Sequence, residues 1–337
     1  MSTNILVTGS AGFIGFHVSK SLLDLGYSVV GVDALTDYYD INLKISRLNI
    51  LKRYSNFYEV KSNILDEDLY EKSLSKFELG TIIHLAAQAG VRYSIDHPET
   101  YVNSNIIGTF KILEFAKSKN IKHLLCASTS SVYGSNRDMP FHENQKCDTQ
   151  LSFYAATKKS TEVMAHSYSH IYNMPITIFR FFTVYGPWGR PDMALFKFTK
   201  SILDNLPIDI YNFGKMKRDF TYIKDLVDSI LKLIKTPPLH QNSYEKKIKN
   251  DSLSDVAPFR IVNIGNSNPV NLMDYINCLE TILNKKAKKN MLEMQIGDVE
   301  ATWADNKLLE QLINYKPKTK IQEGVKNFVS WYLSYYN

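Results

Sequence analysis

The sequence predicts an α/β protein: a doubly wound parallel sheet with helices on both faces, followed by a smaller C-terminal α/β lobe. Three observations predict it. Through residue 182, short apolar runs alternate with longer amphipathic stretches, the two periods expected of buried parallel strands and the helices that cover them. The first run ends in Gly9-Ser10-Ala11-Gly12-Phe13-Ile14-Gly15, which opens directly onto the first amphipathic stretch. Beyond residue 182 the segments become shorter and more mixed.

The runs at 4–8, 28–33, 57–60, 81–85 and 123–127 are expected to be strands, with helices at 13–25, 41–54, 67–77 and 99–119 between or after them. A helix at 153–172 and a strand at 175–182 complete the series. Such succession needs right-handed crossovers and puts helices on both faces of one sheet. The expected division is 1–182 and 183–337, with some later segments returning to the core. The polar stretch 244–258 reads as an exposed excursion.

Composition excludes several classes of function. The chain has 337 residues, 44% hydrophobic and 22% charged, enough for two cores and ordinary for a globular protein. Its formal charge of +6 comes partly from Lys285, Lys286, Lys288 and Lys289. No nucleic-acid motif accompanies it, so no nucleic-acid partner is expected. Cys126, Cys147 and Cys278 are far apart and in no metal-ligand spacing, so no metal is expected and a reducing compartment is. Neither a signal peptide nor a membrane-length apolar run is visible, and a cytoplasmic location is expected.

The glycine segment carries the first chemistry. Glycines let a backbone turn tightly and approach a pyrophosphate, while the helix that starts there directs its free N–H groups and positive end at the phosphates. Placed between a buried strand and an amphipathic helix, Gly9, Gly12, Phe13, Ile14 and Gly15 read as a dinucleotide site. Asp33 closes the second strand about 20 residues further on, where a carboxylate accepts ribose hydroxyls and repels a 2′-phosphate. With Ala34 rather than Arg next to it, the cofactor expected is NAD.

Tyr154 and Lys158 stand four positions apart on one expected helix face. A nearby ammonium stabilises phenolate and would lower the tyrosine pKa from about 10 toward working pH. Such a tyrosine can take a proton from a sugar hydroxyl while hydride leaves the same carbon. Thr129 lies at the end of the fifth strand, where catalytic groups of such sheets collect.

These motifs carry a resemblance. The spacing G-x-x-G-x-x-G, Asn63-Ile64, His84-Leu85-Ala86-Ala87, Asn105, Thr129 and the Tyr154/Lys158 pair together resemble the extended short-chain dehydrogenase/reductase superfamily, a Rossmann-type fold. The resemblance implies that Asn63 and Ile64 flank the adenine, that Ala86, Ala87 and Gln88 run along the cofactor, that Thr129 bonds the reacting hydroxyl, and that Lys158 holds the nicotinamide ribose. The segments 180–194, 33–40, 215–222 and 297–299 are similar to those of the bacterial UDP-glucuronate 4-epimerases, members of the NAD-dependent epimerase/dehydratase family. That implies a UDP-sugar substrate: Arg218 on the diphosphate, Lys197 and Phe198 lining the nucleotide, Tyr211 near the uracil, Asp298 at the ribose or ordering its loop, and Ser130, Ser131, Thr183 and Arg190 holding the sugar carboxylate. Gln295 stands where neutral-hexose epimerases carry a diphosphate arginine. The implied activity is an isomerase inverting C4 of UDP-glucuronate through a 4-keto intermediate to UDP-galacturonate, with NAD regenerated, in a homodimer paired through the Asn105 and Tyr154 helices and with a role in polysaccharide biosynthesis.

Alternatives are a UDP-glucuronate decarboxylase, a neutral UDP-hexose 4-epimerase, a 4,6-dehydratase and a non-catalytic nucleotide-binding protein. Related decarboxylases commonly carry Glu in place of Ser131, and dehydratases an Asp-Glu pair in place of Ser130-Ser131. A binding protein would be expected to lose the tyrosine, lysine or hydroxyl.

Overall fold

The computed structural model describes residues 4–240, 248–295 and 297–336. The strands are β1 (Asn4–Thr8), β2 (Val29–Asp33), β3 (Phe57–Lys61), β4 (Leu79–His84), β5 (His123–Thr129), β6 (Ile176–Phe181), β7 (Thr183–Tyr185), β8 (Pro207–Ile210), β9 (Lys217–Tyr222), β10 (Phe259–Ile264), β11 (Pro269–Asn271), β12 (Lys288–Met291) and β13 (Ala301–Thr302). The central sheet has the order β10-β6-β5-β4-β1-β2-β3, and every pairing in it is parallel. The chain winds outward from β1 to β3, then returns to lay β4 on the other side of β1. Ligands of doubly wound sheets bind at that reversal, beyond the carboxyl ends of the strands.

Side chains alternate between the faces, so each face has its own apolar cluster. Ile5, Val7, Leu125 and Phe179 enter one, with Phe16 and Leu22 of the helix Phe13–Asp24. Leu6, Val30, Ile82, Leu124 and Ile178 enter the other, with Leu113 and Ala165. The smaller lobe is built around β9. Its last residues pair with β7 in parallel, and its first pair with β11 antiparallel and β13 parallel. β8 and β12 form a separate parallel pair. Late in the chain, β10 rejoins the central sheet beside β6.

Periodicity missed three local features. The helix expected at 67–77 is one wide turn, Leu69–Ser73. The one expected at 99–119 is broken into Pro98–Tyr101, the wide turn Val102–Ile107 and the regular helix Gly108–Ser118. Its cause is tertiary: Asn105 is fully buried and bonded to its neighbours, and Gly108 approaches Ile64 so closely that a Cβ would lie 2.4 Å from its Cδ1. Wide turns of this kind recur at functional sites. The third concerns 244–258. Residues 244–247 lie outside the described residues, but the rest is not uniformly exposed. Leu253 and Ala257 are buried, and Asp251 pairs bidentately with the buried Arg260 at 2.9 and 3.0 Å. Among the described residues, no helix is long and apolar enough to cross a membrane.

Candidate active site

The glycine segment forms a tight cradle at the end of β1. Gly9 adopts φ +73°, and its N–H donates to Val32 O at 2.7 Å, while Gly12 N–H donates back to Gly9 O at 3.0 Å. A Cβ on Gly15 would stand 2.0 Å from Gly9 O. Gly12 caps the helix Phe13–Asp24 and supplies no side chain to its first N–H groups, which leaves them available to an anion. Asp33 accepts from Ala11 N–H at 2.9 Å and from Leu35 N–H at 2.8 Å, one on each oxygen. Each oxygen keeps acceptor capacity for a ribose hydroxyl. Ala86 and Ala87 follow β4 past Gly9, and Gln88 is held by Asn105, whose Oδ1 accepts from Gln88 N–H (2.8 Å) and whose Nδ2 donates to Gln88 O (3.0 Å). These residues fit a dinucleotide. Phe13 and Ile64 are buried, and Ile14 is half-buried. Asn63 shapes the turn after β3: its side-chain oxygen accepts from Leu65 N–H at 3.0 Å and its own N–H donates to Asp66 at 2.9 Å.

Gly15→Ala is expected to destabilise the fold by about 1–3 kcal/mol through overpacking and to empty the cleft of dinucleotide. Thermal melting and the NAD content of the purified variant measure both effects. A variant that melts normally and carries full NAD contradicts the cradle.

The catalytic helix, Phe153–Tyr172, begins where Ser152 accepts from Ala155 N–H at 3.1 Å and ends at Asn173 in the left-handed conformation. Tyr154 N–H donates to Ser94 at 3.1 Å, and Asn105 Nδ2 donates to Thr157 at 3.0 Å. The loop after β4 and the wide turn thereby hold the start of the helix. β5 runs two residues beyond its expected end, which makes Thr129 its last residue. The Thr129 hydroxyl acts on the Tyr154 phenol, favouring its ionised form, and donates to Ser131 Oγ at 3.2 Å.

Electrostatics at Tyr154 differ from the expectation. Burial raises its pKa, and the groups that pull it back are the Thr129 hydroxyl and the charge of Arg190. Burial lowers Lys158 to about 8, with Cys126 and Glu162 acting to raise it. Sharing a helix face places two side chains together but does not decide which charge dominates in a dry site. Glu162, one further turn along, was missed. It pairs with Arg180 at 2.8 and 2.9 Å, both almost fully buried, and accepts from Ser128 at 2.7 Å. Its signal was the spacing of four from Tyr154 to Lys158 to Glu162.

On the substrate side, Phe13, Thr183, Arg190 and Met193 line one cavity, which brings the cofactor helix against the segment after β6. Ser130 and Ser131 begin the short turn after Thr129. Arg190 is gripped by Asp192, through Nε at 3.0 Å and Nη2 at 2.5 Å. Arg218 spends its fork on the carbonyls of Lys217, Glu300 and Val299, at 3.0, 3.1 and 2.6 Å. Burial lowers its pKa, with Asp298 opposing. Asp298 pairs with Arg92 at 3.2 Å, and Arg92 stacks 4.5 Å over Tyr211. Those three residues meet across the cleft, and Arg92 was missed because its partners lie far away in sequence. Lys197 is exposed, and Phe198 is buried in the apolar cluster. Gln295 has a buried Oε1 without a hydrogen-bond partner.

A Rossmann-type parallel sheet with the Tyr154/Lys158 pair on the helix after β5 defines an extended short-chain dehydrogenase/reductase. The chain belongs to the NAD-dependent epimerase/dehydratase family of this class, the family described as GDP-mannose 4,6 dehydratase matching residues 6–328. It is 52% identical over 327 residues to the probable UDP-glucuronate 4-epimerase of Rhizobium meliloti, a match covering 97% of this chain and 96% of that one. It is 49% identical over 332 residues to protein CapI of Staphylococcus aureus, covering 98% and 99%. The crystal structure of UDP-glucuronic acid 4-epimerase from Bacillus cereus in complex with UDP-glucuronic acid and NAD superposes with a TM-score of 0.88 at 34% identity, covering 99% of this chain and 100% of that one. The fold and family read from the motifs are both met.

Proposed function

We propose that this chain is a UDP-glucuronate 4-epimerase that interconverts UDP-glucuronate and UDP-galacturonate, with NAD as its resident cofactor. One observation carries the reading: Thr183 and Arg190 line one cavity with Phe13 of the cofactor helix, and the charge of Arg190 favours the ionised Tyr154 phenol. In a hexuronate the carboxylate sits on C5, next to the reacting C4. A base for the C4 hydroxyl and a cation for the carboxylate must therefore lie within electrostatic reach of each other, and the Arg190 charge reaches Tyr154. A neutral hexose has no use for that cation. The relatives named above support the same substrate.

NAD, held by the glycine cradle, Asp33 and Lys158, would supply the acceptor and donor of the C4 hydride. The chain's residues do the rest. Tyr154 removes the C4 hydroxyl proton and later gives it back, Thr129 orients that hydroxyl, and Lys158 bonds the nicotinamide ribose. Arg218, Tyr211, Lys197 and the Arg92–Asp298 pair hold the nucleotide end, so the sugar can turn over while UDP stays anchored and binding energy is kept away from the reacting ring. Ser130, Ser131, Thr183 and Arg190 hold the carboxylate of a β-keto acid that would otherwise tend to lose carbon dioxide. Residues 1–182 chiefly hold the cofactor and 183–337 chiefly the sugar nucleotide.

The working unit is a homodimer. Phe110 on the helix Gly108–Ser118, with Val163 and Ile171 on the neighbouring helix Phe153–Tyr172, are large apolar side chains left exposed, and a second copy would cover them in a bundle. Three unpaired cysteines suit a reducing, cytoplasmic setting. The product would feed polysaccharide synthesis.

NMR of the purified protein with UDP-glucuronate tests the assignment. UDP-galacturonate is expected without added NAD. A UDP-pentose product would favour decarboxylation, and turnover of UDP-glucose alone would favour a neutral-hexose enzyme.

A further inference from the structure

Arg47 lies on the helix Ile41–Leu51 with none of its surface exposed. A buried guanidinium is costly to desolvate and is ordinarily repaid by a carboxylate. Here all its hydrogen bonds go to neutral oxygens. Nη1 donates to Ala11 O at 2.9 Å and Tyr39 Oη at 2.7 Å, and Nη2 donates to Trp188 O at 2.6 Å and Gly189 O at 3.4 Å. Its Nε has no hydrogen-bond partner. Lys44, on the same helix, is a second buried cation, donating to Thr36.

The acceptors of Arg47 come from two separate parts of the site. Ala11 is inside the glycine cradle. Trp188 and Gly189 form the turn that delivers Arg190, and Trp188 is held there at φ +60°, a strained conformation for a bulky residue. Rings of Phe16, Trp331 and Tyr335 surround it. One side chain thus ties the cofactor loop to the substrate turn and brings an unneutralised charge to the anion end of the cleft.

We propose that Arg47 is a positioning residue that couples the two halves of the site: its charge retains the NAD pyrophosphate, and its planar fork sets the 188–190 turn so that Arg190 meets the sugar acid. This rests on the epimerase reading above. Arginine is required because a lysine offers a point charge that cannot reach two backbone segments in fixed directions.

The test uses the purified enzyme with Arg47→Met and Arg47→Lys, reading NAD retained per chain after gel filtration, and KM and kcat for UDP-glucuronate with NAD in excess. Arg47→Met is expected to retain at least about tenfold less NAD and to raise KM about tenfold, the scale of one lost charge-assisted contact. Arg47→Lys is expected to recover most of the NAD retention while KM stays high and kcat changes little. Wild-type NAD retention in Arg47→Met overturns the charge role, as does loss of retention in Arg47→Lys. A wild-type KM in Arg47→Lys overturns the fork role, and that variant decides alone should Arg47→Met fail to fold. If the unaltered chain neither carries NAD nor turns over UDP-glucuronate, the epimerase reading itself fails, whatever the variants do.

Discussion

Tyr154→Phe is expected to slow turnover of UDP-glucuronate by about a hundred- to ten-thousand-fold, the usual contribution of a positioned proton acceptor, while NAD remains bound. The substitution keeps the ring and its edge contact with Tyr101, whose centroid is 6.0 Å away, and removes only the hydroxyl on which Thr129 and Arg190 act. Because burial disfavours the charged phenol, its loss should leave the melting temperature near that of the unaltered chain. The discriminating measurement pairs NMR of the product with the NAD content of the same sample. Near-normal epimerisation by this variant would remove Tyr154 as the base.

The largest stability effect is expected at Glu162. Replacing it by Leu strands Arg180, which is about 1% exposed, as a buried cation without its bidentate partner. Breaking such a pair from one side costs about 3–5 kcal/mol, and for a chain of this size that is a melting shift on the order of 10 °C. The double replacement Glu162→Leu with Arg180→Met should recover most of the loss, because the desolvation penalty then vanishes from both sides. Melts are compared at equal NAD occupancy, since a bound ligand shifts the midpoint by itself.

A second readout follows at Lys158. Burial lowers its pKa to about 8 and Glu162 works against that burial. Without the glutamate the pKa falls further, so Lys158 keeps its charge only at lower pH. The stability-recovered double variant should therefore show its alkaline loss of kcat shifted toward lower pH. An unshifted profile would mean that Glu162 serves packing alone.

Much of the site could be read from local pattern. Gly9, Gly12 and Gly15 followed by an amphipathic stretch could do little but turn tightly beneath a helix end, and the structure builds that turn with a 3.0 Å bond from Gly12 to Gly9. The catalytic helix was legible in the same way: Phe153–Tyr172 appears with the expected bounds, because its period is regular and Ser152 caps it. Arg92 and Arg47 were not legible. Their partners stand far along the chain, Asp298 for the first and Trp188 for the second, and no spacing rule connects them.

What the sequence by itself determined was the order of strands and helices, the glycine cradle and the placing of Tyr154 and Lys158 on one helix, since each depends on a few consecutive residues and their period. What only the tertiary structure decided was which charges those groups feel. Burial raises the Tyr154 pKa against Thr129 and Arg190 and lowers that of Lys158 to about 8, and Arg218 and Arg190 have their forks engaged by backbone carbonyls and by Asp192. The physical reason is that electrostatic influence in a dry site follows distance and desolvation through space, and the chain's linear order carries neither.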